Sequence, residues 1–277
     1  MSKTWLITGI SSGFGKALTE QLLANGDTVI GTVRKDNKDI RDLQENFPDT
    51  LDVSHLDVTN LDEIHQVVKD AFSKHKQIDV LINNAGYGLF GAAEELSDDD
   101  VNLILATNLT GSIQMIRSFI PYLRKQGHGR IIQISSYGGQ VAYPGNSMYH
   151  ATKFGIEGFC EAVAQELKPF NIGVTIIEPG GARTEFRYGS AHVANLMPEY
   201  DQTPTHDFLK MLDPANGLAP GDPSKMASRI IETVDQTPAP LHVVLGSKAL
   251  RETILRLTDR LHEYQSETDM AASTDIE

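Results

Sequence analysis

Tyr149 and Lys153 stand four residues apart in a stretch of helical character, which puts them on one face, about one turn from each other. A free phenol, with a pKa near 10, is a poor acid–base group at neutral pH. A neighbouring ammonium favours the phenolate and lowers that value toward the range in which proton transfer is effective. The spacing therefore points to general acid–base chemistry at Tyr149. Of the eight tyrosines, only this one has a lysine four positions on.

A second chemical signal lies near the start of the chain. Gly9-Ile10-Ser11-Ser12-Gly13-Phe14-Gly15 follows a strand-like run and leads into a helix-like one. Glycines in that setting allow a tight turn and a close approach of the backbone to a pyrophosphate, whose charge is met by the N-terminus of the helix. At the end of the next strand-like run stand Arg34 and Lys35, where an acid would be expected to bind the ribose hydroxyls of NAD(H). The planar fork of Arg34 suits a 2′-phosphate, with Ser11 and Ser12 as further donors. The expected cofactor is NADP(H), with NAD(H) as the lesser possibility. A literal Gly-x-Gly-x-x-Gly, Gly86 to Gly91, follows the fourth strand but opens no evident helix, and reads as a flexible loop beside a site.

These groups need a frame. Strand-like runs at Trp5–Thr8, Thr28–Val33, Val53–Leu56, Val80–Asn83, Arg130–Ile134, Val174–Glu178 and Leu241–Leu245 alternate with amphipathic stretches. Helices are expected from Gly15 to Asn25, after an Asn60 cap with Glu63 at its third position, after Ser97 with its following acids, and from Ser147 to Pro169. The alternation predicts a single-domain α/β fold of Rossmann type. Its doubly wound parallel sheet has about seven strands, with helices on both faces. Runs such as Val80-Leu81-Ile82 are apolar throughout, as strands buried on both faces should be. The domain is expected over 1–262. A lid on the substrate side is expected at about 186–221, which carries four prolines, and an acidic, fraying tail at 263–277.

In such a sheet Ser135-Ser136, Asn83-Asn84-Ala85-Gly86 and Pro179-Gly180-Gly181 all end strands at the edge where the glycine loop opens, the usual place for ligands. The whole set resembles the classical short-chain dehydrogenases/reductases. The resemblance rests on Thr8-Gly-x-x-x-Gly-x-Gly15, Asp57-Val58, Asn83-Asn84-Ala85-Gly86, Asn108, Ser136, Tyr149-x-x-x-Lys153 and Pro179-Gly180 with Thr184. These appear in family order across nearly the whole chain. It implies Tyr149 as general acid/base, with Lys153 lowering its pKa and holding the nicotinamide ribose. Ser136 would bind the carbonyl oxygen, being preferred over Ser135 because the family serine lies thirteen positions before the tyrosine, and Asn108 would anchor a relay water. Asp57 and Val58 would meet the adenine, Asn84, Ala85 and Gly86 would line the cofactor, and Pro179, Gly180, Gly181 and Thr184 would hold its nicotinamide end. Gly31-Thr-Val-Arg34 with the glycine loop looks most like the NADP(H)-using 17-beta-hydroxysteroid-dehydrogenase-like branch. A homodimer or homotetramer is the family expectation.

A net charge of -13 argues against nucleic acid or an anionic membrane as partner. The single cysteine, Cys160, excludes an intrachain disulfide and fits a reducing cytoplasm. Neither a secretory leader nor a membrane-spanning apolar run is evident. No His/Asp/Glu spacing suggests a metal, and His192 and His206 read as surface residues without a carboxylate pattern nearby. Tyr87, Leu89, Phe90, Tyr137, Tyr143, Met148, Phe186, Tyr188, Phe208 and Met211 are expected near the reacting carbon and suit a moderately apolar carbonyl or alcohol. The chain therefore reads as a carbonyl-reducing or alcohol-oxidising enzyme. The rival is a silent NADP(H)-binding sensor or scaffold on the same fold.

Overall fold

The computed structural model describes residues 2–276, apart from the side chain of Tyr188. Its elements run β1 (Thr4–Thr8), α1 (Gly13–Ala24), β2 (Thr28–Val33), α2 (Lys38–Asn46), β3 (Leu51–His55), α3 (Leu61–Lys74), β4 (Val80–Asn83), β5 (Leu89–Phe90) and α4 (Asp98–Ile104). There follow α5 (Ser112–Gln126), β6 (Gly129–Ile134), α6 (Ser147–Leu167), β7 (Ile172–Pro179), α7 (Glu185–Tyr188), β8 (His192–Val193) and α8 (Pro204–Leu209). The last are α9 (Pro223–Thr233), β9 (His242–Leu245), α10 (Ser247–Ser266) and α11 (Thr268–Ala272).

Seven strands form one parallel sheet in the order β3-β2-β1-β4-β6-β7-β9, the expected doubly wound Rossmann arrangement in one domain. Alternation within the apolar strands supplies both faces. Leu6 of β1 joins a core with Val68 of α3, Phe119 of α5 and Ile156 of α6. Its neighbours Trp5 and Ile7 point the other way, into a core with Leu22 of α1, Ile40 of α2 and Ile230 of α9. The order reverses between β1 and β4, and that switch point opens the crevice that carries the site.

Local signals act as their chemistry requires. The Asn60 side chain accepts from the Asp62 and Glu63 amides, capping α3. Ser97 and Asp100 form a reciprocal capping box at α4. Between α4 and α5 the helix widens into a π turn, Leu105–Gly111, which carries Asn108.

Two expectations change. The loop from Gly86 to Gly91 contains β5, which pairs in parallel with β8 from the segment expected as a lid. The polar end of the chain does not lose structure at 263: α10 continues through Ser266 and α11 follows. Most of its residues are good helix formers, and propensity outlasts burial there. Glu277 lies outside the described residues.

Candidate active site

One cleft of about 1410 Å³ runs along the carboxyl edge of the sheet and is lined by the glycine loop and by residues that follow β2, β3, β4, β6 and β7; Asn108 is buried behind its wall. At one end is the glycine loop. Gly9 has φ +74°, a conformation that side chains rarely adopt, and its amide reaches back to the Thr32 carbonyl of β2. Gly15 is required by close approach, because a Cβ there would lie 2.1 Å from the Gly9 carbonyl oxygen. The first turn of α1 is thus drawn against the loop with its N-terminus facing the cleft, and the Ser12 side chain is not used as a cap. Asn84 fastens this loop to β4, its amide nitrogen donating to the Thr8 and Gly9 carbonyls at 2.9 Å each. Gly9, Ser11, Ser12, Gly13 and Phe14 line the cleft, while Gly15 lies behind them. The cradle, the exposed helix terminus and the donors around it fit a dinucleotide.

Arg34, immediately after β2, lines the same cleft as Ser11 and Ser12. Asp57 and Val58 follow β3. The Asp57 carboxylate accepts the backbone and hydroxyl hydrogens of Thr59, which hold it below the ordinary carboxylate range. From the opposite wall, Pro179, Gly180, Gly181 and Thr184 reach over after β7. A Cβ placed on Gly13 would lie 3.7 Å from that of Thr184, so the β7 loop and the glycine loop face each other.

Tyr149 and Lys153 of α6 form the floor at the centre, both buried. The lysine ammonium lies 5.6 Å from the centre of the tyrosine ring and donates to the Ile134 carbonyl at 3.0 Å. Burial pulls Lys153 down to about 8, opposed by the carboxylate of Glu157. Burial also drives the Tyr149 phenol above its ordinary value, opposed by a hydrogen bond with Ser136. Sequence reasoning expected the lysine to lower this phenol. In the folded chain desolvation dominates and the group that lowers the phenol is Ser136, because the ring is closed in by Phe186 at 5.7 Å and packs with Leu89 and Ile104. Ser136 accepts from the Gly138 amide at 3.0 Å, whereas Ser135 turns away and donates to Glu157. The Asn108 side chain holds both backbone groups of Tyr87, at 3.0 and 2.8 Å.

The family model for the short chain dehydrogenases matches residues 3–192, the stretch that contains the glycine loop, Asn108, Ser136, Tyr149 and Lys153. The chain belongs to the short-chain dehydrogenase family. This short-chain dehydrogenase is 36% identical to an oxidoreductase, BOA17, of Botryotinia fuckeliana, over 90% of its own length and 91% of that protein's. It is 35% identical to a 3-ketodihydrosphingosine reductase of Bacteroides thetaiotaomicron, over 87% of each chain. A crystal structure of a short-chain dehydrogenase from Streptomyces avermitilis superposes with a TM-score of 0.93 at 35% identity, covering 100% of both chains.

Part of the cleft wall of the dehydrogenase is built of aromatic rings. Tyr143 stacks on Phe208 at 5.4 Å, Tyr137 tilts against Tyr143 at 5.9 Å, and Tyr87, Phe90, Phe186 and Met211 complete the wall. Leu89 and Met148 pack beside Tyr149 rather than line the cleft, and the Tyr188 side chain lies outside the described residues. Two further expectations are corrected. His206 is no lone surface residue: its Nε2 lies 2.8 Å from the fully buried Glu95 carboxylate, and its Nδ1 lies 3.2 Å from Asp201. His192 is exposed, as expected, but it lines the cleft and has a carboxylate partner, its Nε2 lying 2.9 Å from Asp100. Burial opposes ionisation of Glu95, yet the Met197 and Ala92 amides and His206 together hold its carboxyl below the ordinary value.

Sequence reasoning missed a polar network beneath the floor. Glu157, one turn beyond Lys153 on α6, accepts from Ser135 and from the Gln140 amide at 2.6 Å. Burial raises its carboxyl to about 7. Its neighbour Glu178 pairs with His242 at 2.7 Å, and the three ligand-type atoms lie within 4.8 Å of one another. An acid four positions after Lys153 on a buried helical face was the available signal. His150 braces the same loop, between the Gly138 carbonyl at 2.7 Å and the Tyr143 amide at 3.0 Å. Among the described residues, no helix is long and apolar enough to cross a membrane.

Proposed function

We propose that the chain is an NADP(H)-dependent oxidoreductase acting on a carbonyl/alcohol pair, with Tyr149 as general acid/base. The observation that carries this reading is the buried Tyr149 hydroxyl, bonded to Ser136 and backed by Lys153, at the centre of a cleft that begins at the glycine loop. A bound nicotinamide dinucleotide supplies or accepts the hydride. Gly9, Ser11, Ser12, Gly13 and Phe14 hold its pyrophosphate with the N-terminus of α1, and Gly15 permits the approach. Arg34 selects the 2′-phosphate, in keeping with the 17-beta-hydroxysteroid-dehydrogenase-like branch. Asp57 and Val58 border the adenine, Asn84, Ala85 and Gly86 line the middle, and Pro179, Gly180, Gly181 and Thr184 hold the nicotinamide end.

Because burial keeps its proton on at neutral pH, Tyr149 acts in reduction as the donor to the carbonyl oxygen, which Ser136 orients. Lys153 remains charged below about 8, supports loss of that proton and holds the ribose. The Asn108 side chain is occupied by Tyr87, so any part in a proton relay falls to its main chain. The aromatic wall suits an apolar carbonyl compound, and one relative bears the name of a 3-keto compound's reductase. Residues 186–221, which contribute Phe186, Phe208 and Met211, act as a lid. The enzyme works in the cytoplasm as a homodimer or homotetramer. The test is a panel of ketones, aldehydes and alcohols with NADPH or NADH, followed by the absorbance of reduced nicotinamide. Silence across the panel despite tight NADPH binding would favour a sensor or scaffold.

A further inference from the structure

Glu95 ends a short 3-10 turn, Ala93–Glu95, between β5 and α4, and its carboxylate is fully buried. A buried carboxylate persists only where partners replace the water it has lost. Three groups do so here. The Ala92 amide donates to Oε2 at 2.6 Å, the Met197 amide donates to Oε1 at 2.7 Å, and Nε2 of His206 lies 2.8 Å from the same Oε1. Two of the three come from the segment 186–221. The bond to Glu95 raises the His206 imidazole, against the effect of burial, and so favours the charged ring. The turn between Met197 and His206 is closed on itself. Tyr200 lies against the His206 ring at 5.9 Å and donates to Glu94 at 2.6 Å, and Asp201 lies 3.2 Å from Nδ1.

This fastening holds α8. A helix of six residues has little stability of its own, so its place depends on such side-chain bonds. Two positions after His206, Phe208 stacks on Tyr143 in the wall of the cleft. The next residue, Leu209, is buried close to Gly145, where a Cβ would lie 2.8 Å from its Cδ1. Neither Glu95 nor His206 lines the cleft, so both act on its contents only through α8. We propose that Glu95 and His206 are positioning residues for the substrate, whose buried pair fastens α8 to the domain and keeps Phe208 in the aromatic wall. The inference rests on the carbonyl-reducing reading of the cleft, but the fastening can be measured without turnover.

Hydrogen exchange measures it directly. His206→Gln removes the charge on the α8 side, and Glu95→Gln removes it on the domain side with little change of volume. In each variant the amides of 195–209 should exchange about 10-fold faster or more, while those of the sheet and of α6 keep their protection. Kinetics measure the consequence. For a carbonyl substrate found in the panel, His206→Gln should raise KM by about 10-fold, the worth of one aromatic contact, with kcat and NADPH affinity within about threefold. Phe208→Ala should raise KM by a similar factor. Adding His206→Gln to it should raise KM by less than about twofold further, because the two act through one contact. Unchanged exchange over 195–209 in both variants would overturn the proposal, whatever the panel yields. So would a KM that stays at the wild-type value, or effects of His206→Gln and Phe208→Ala that multiply. A silent panel with faster exchange would refute the oxidoreductase reading and leave the fastening of α8 upheld.

Discussion

Replacing Glu157 by glutamine should make the protein more stable above neutral pH and somewhat less stable in acid. The side chain is 2% exposed, and burial raises its carboxyl from 4.5 to about 7. Between those two values the folded chain keeps a proton that the unfolded chain has lost. Stability therefore falls as pH rises through that window, and the loss is complete above about 7. At ~1.36 kcal/mol per pH unit, the difference amounts to about 3 kcal/mol. Glutamine retains an acceptor for Ser135 but loses the one that Gln140 uses, which returns about 1 kcal/mol. The variant should gain about 2 kcal/mol at pH 8 and lose about 1 kcal/mol at pH 4. Urea unfolding of both proteins across this range, followed by circular dichroism, measures the difference directly. A difference that does not vary with pH would refute the reasoning. A second readout is independent of folding: the Glu157 carboxylate raises Lys153, so the alkaline limit of activity should move to lower pH in the variant.

Arg34→Gln should weaken NADPH binding by about 10- to 100-fold, the worth of a charge-assisted hydrogen bond, and leave NADH within about threefold; fluorescence titration with each cofactor separates the two. Gly15→Ala should cost about 3 kcal/mol in thermal unfolding and abolish NADPH binding, because the added carbon meets the Gly9 carbonyl rather than a movable side chain. Carbonyl reduction by the wild type should decline as pH rises through about 8, where Lys153 gives up its charge; a profile flat beyond pH 9 would argue against that role.

The features that could be read from the sequence are those whose partners lie close along the chain or at the ends of strands. The glycine loop announces itself because Gly9, Gly13 and Gly15 are needed within one turn, and Tyr149 and Lys153 share a helix. The seven strands of the sheet were legible from short apolar runs broken at regular intervals. What was hidden depends on contacts between distant residues. The Glu95–His206 pair spans 111 positions, and Glu178–His242 spans 64. No local pattern marks either, and the acids look like ordinary surface charges until the fold buries them. Tyr149 itself shows the limit of reasoning by spacing, since the nearby lysine was visible in the sequence but the desolvation that raises the phenol was not. The helical end of the chain was misjudged for the opposite reason, as polarity was taken for loss of structure where helix propensity was enough.

The central claim is that Tyr149 carries the proton in a hydride-transfer reaction. Once a carbonyl substrate is found in the panel, the most direct test is its reduction by Tyr149→Phe with saturating NADPH, together with the affinity for NADPH. Phenylalanine keeps the ring against Phe186 and removes only the hydroxyl. The rate should fall by about 10²- to 10⁴-fold while NADPH binding stays within a few-fold. Reduction within a few-fold of the wild-type rate would contradict the assignment.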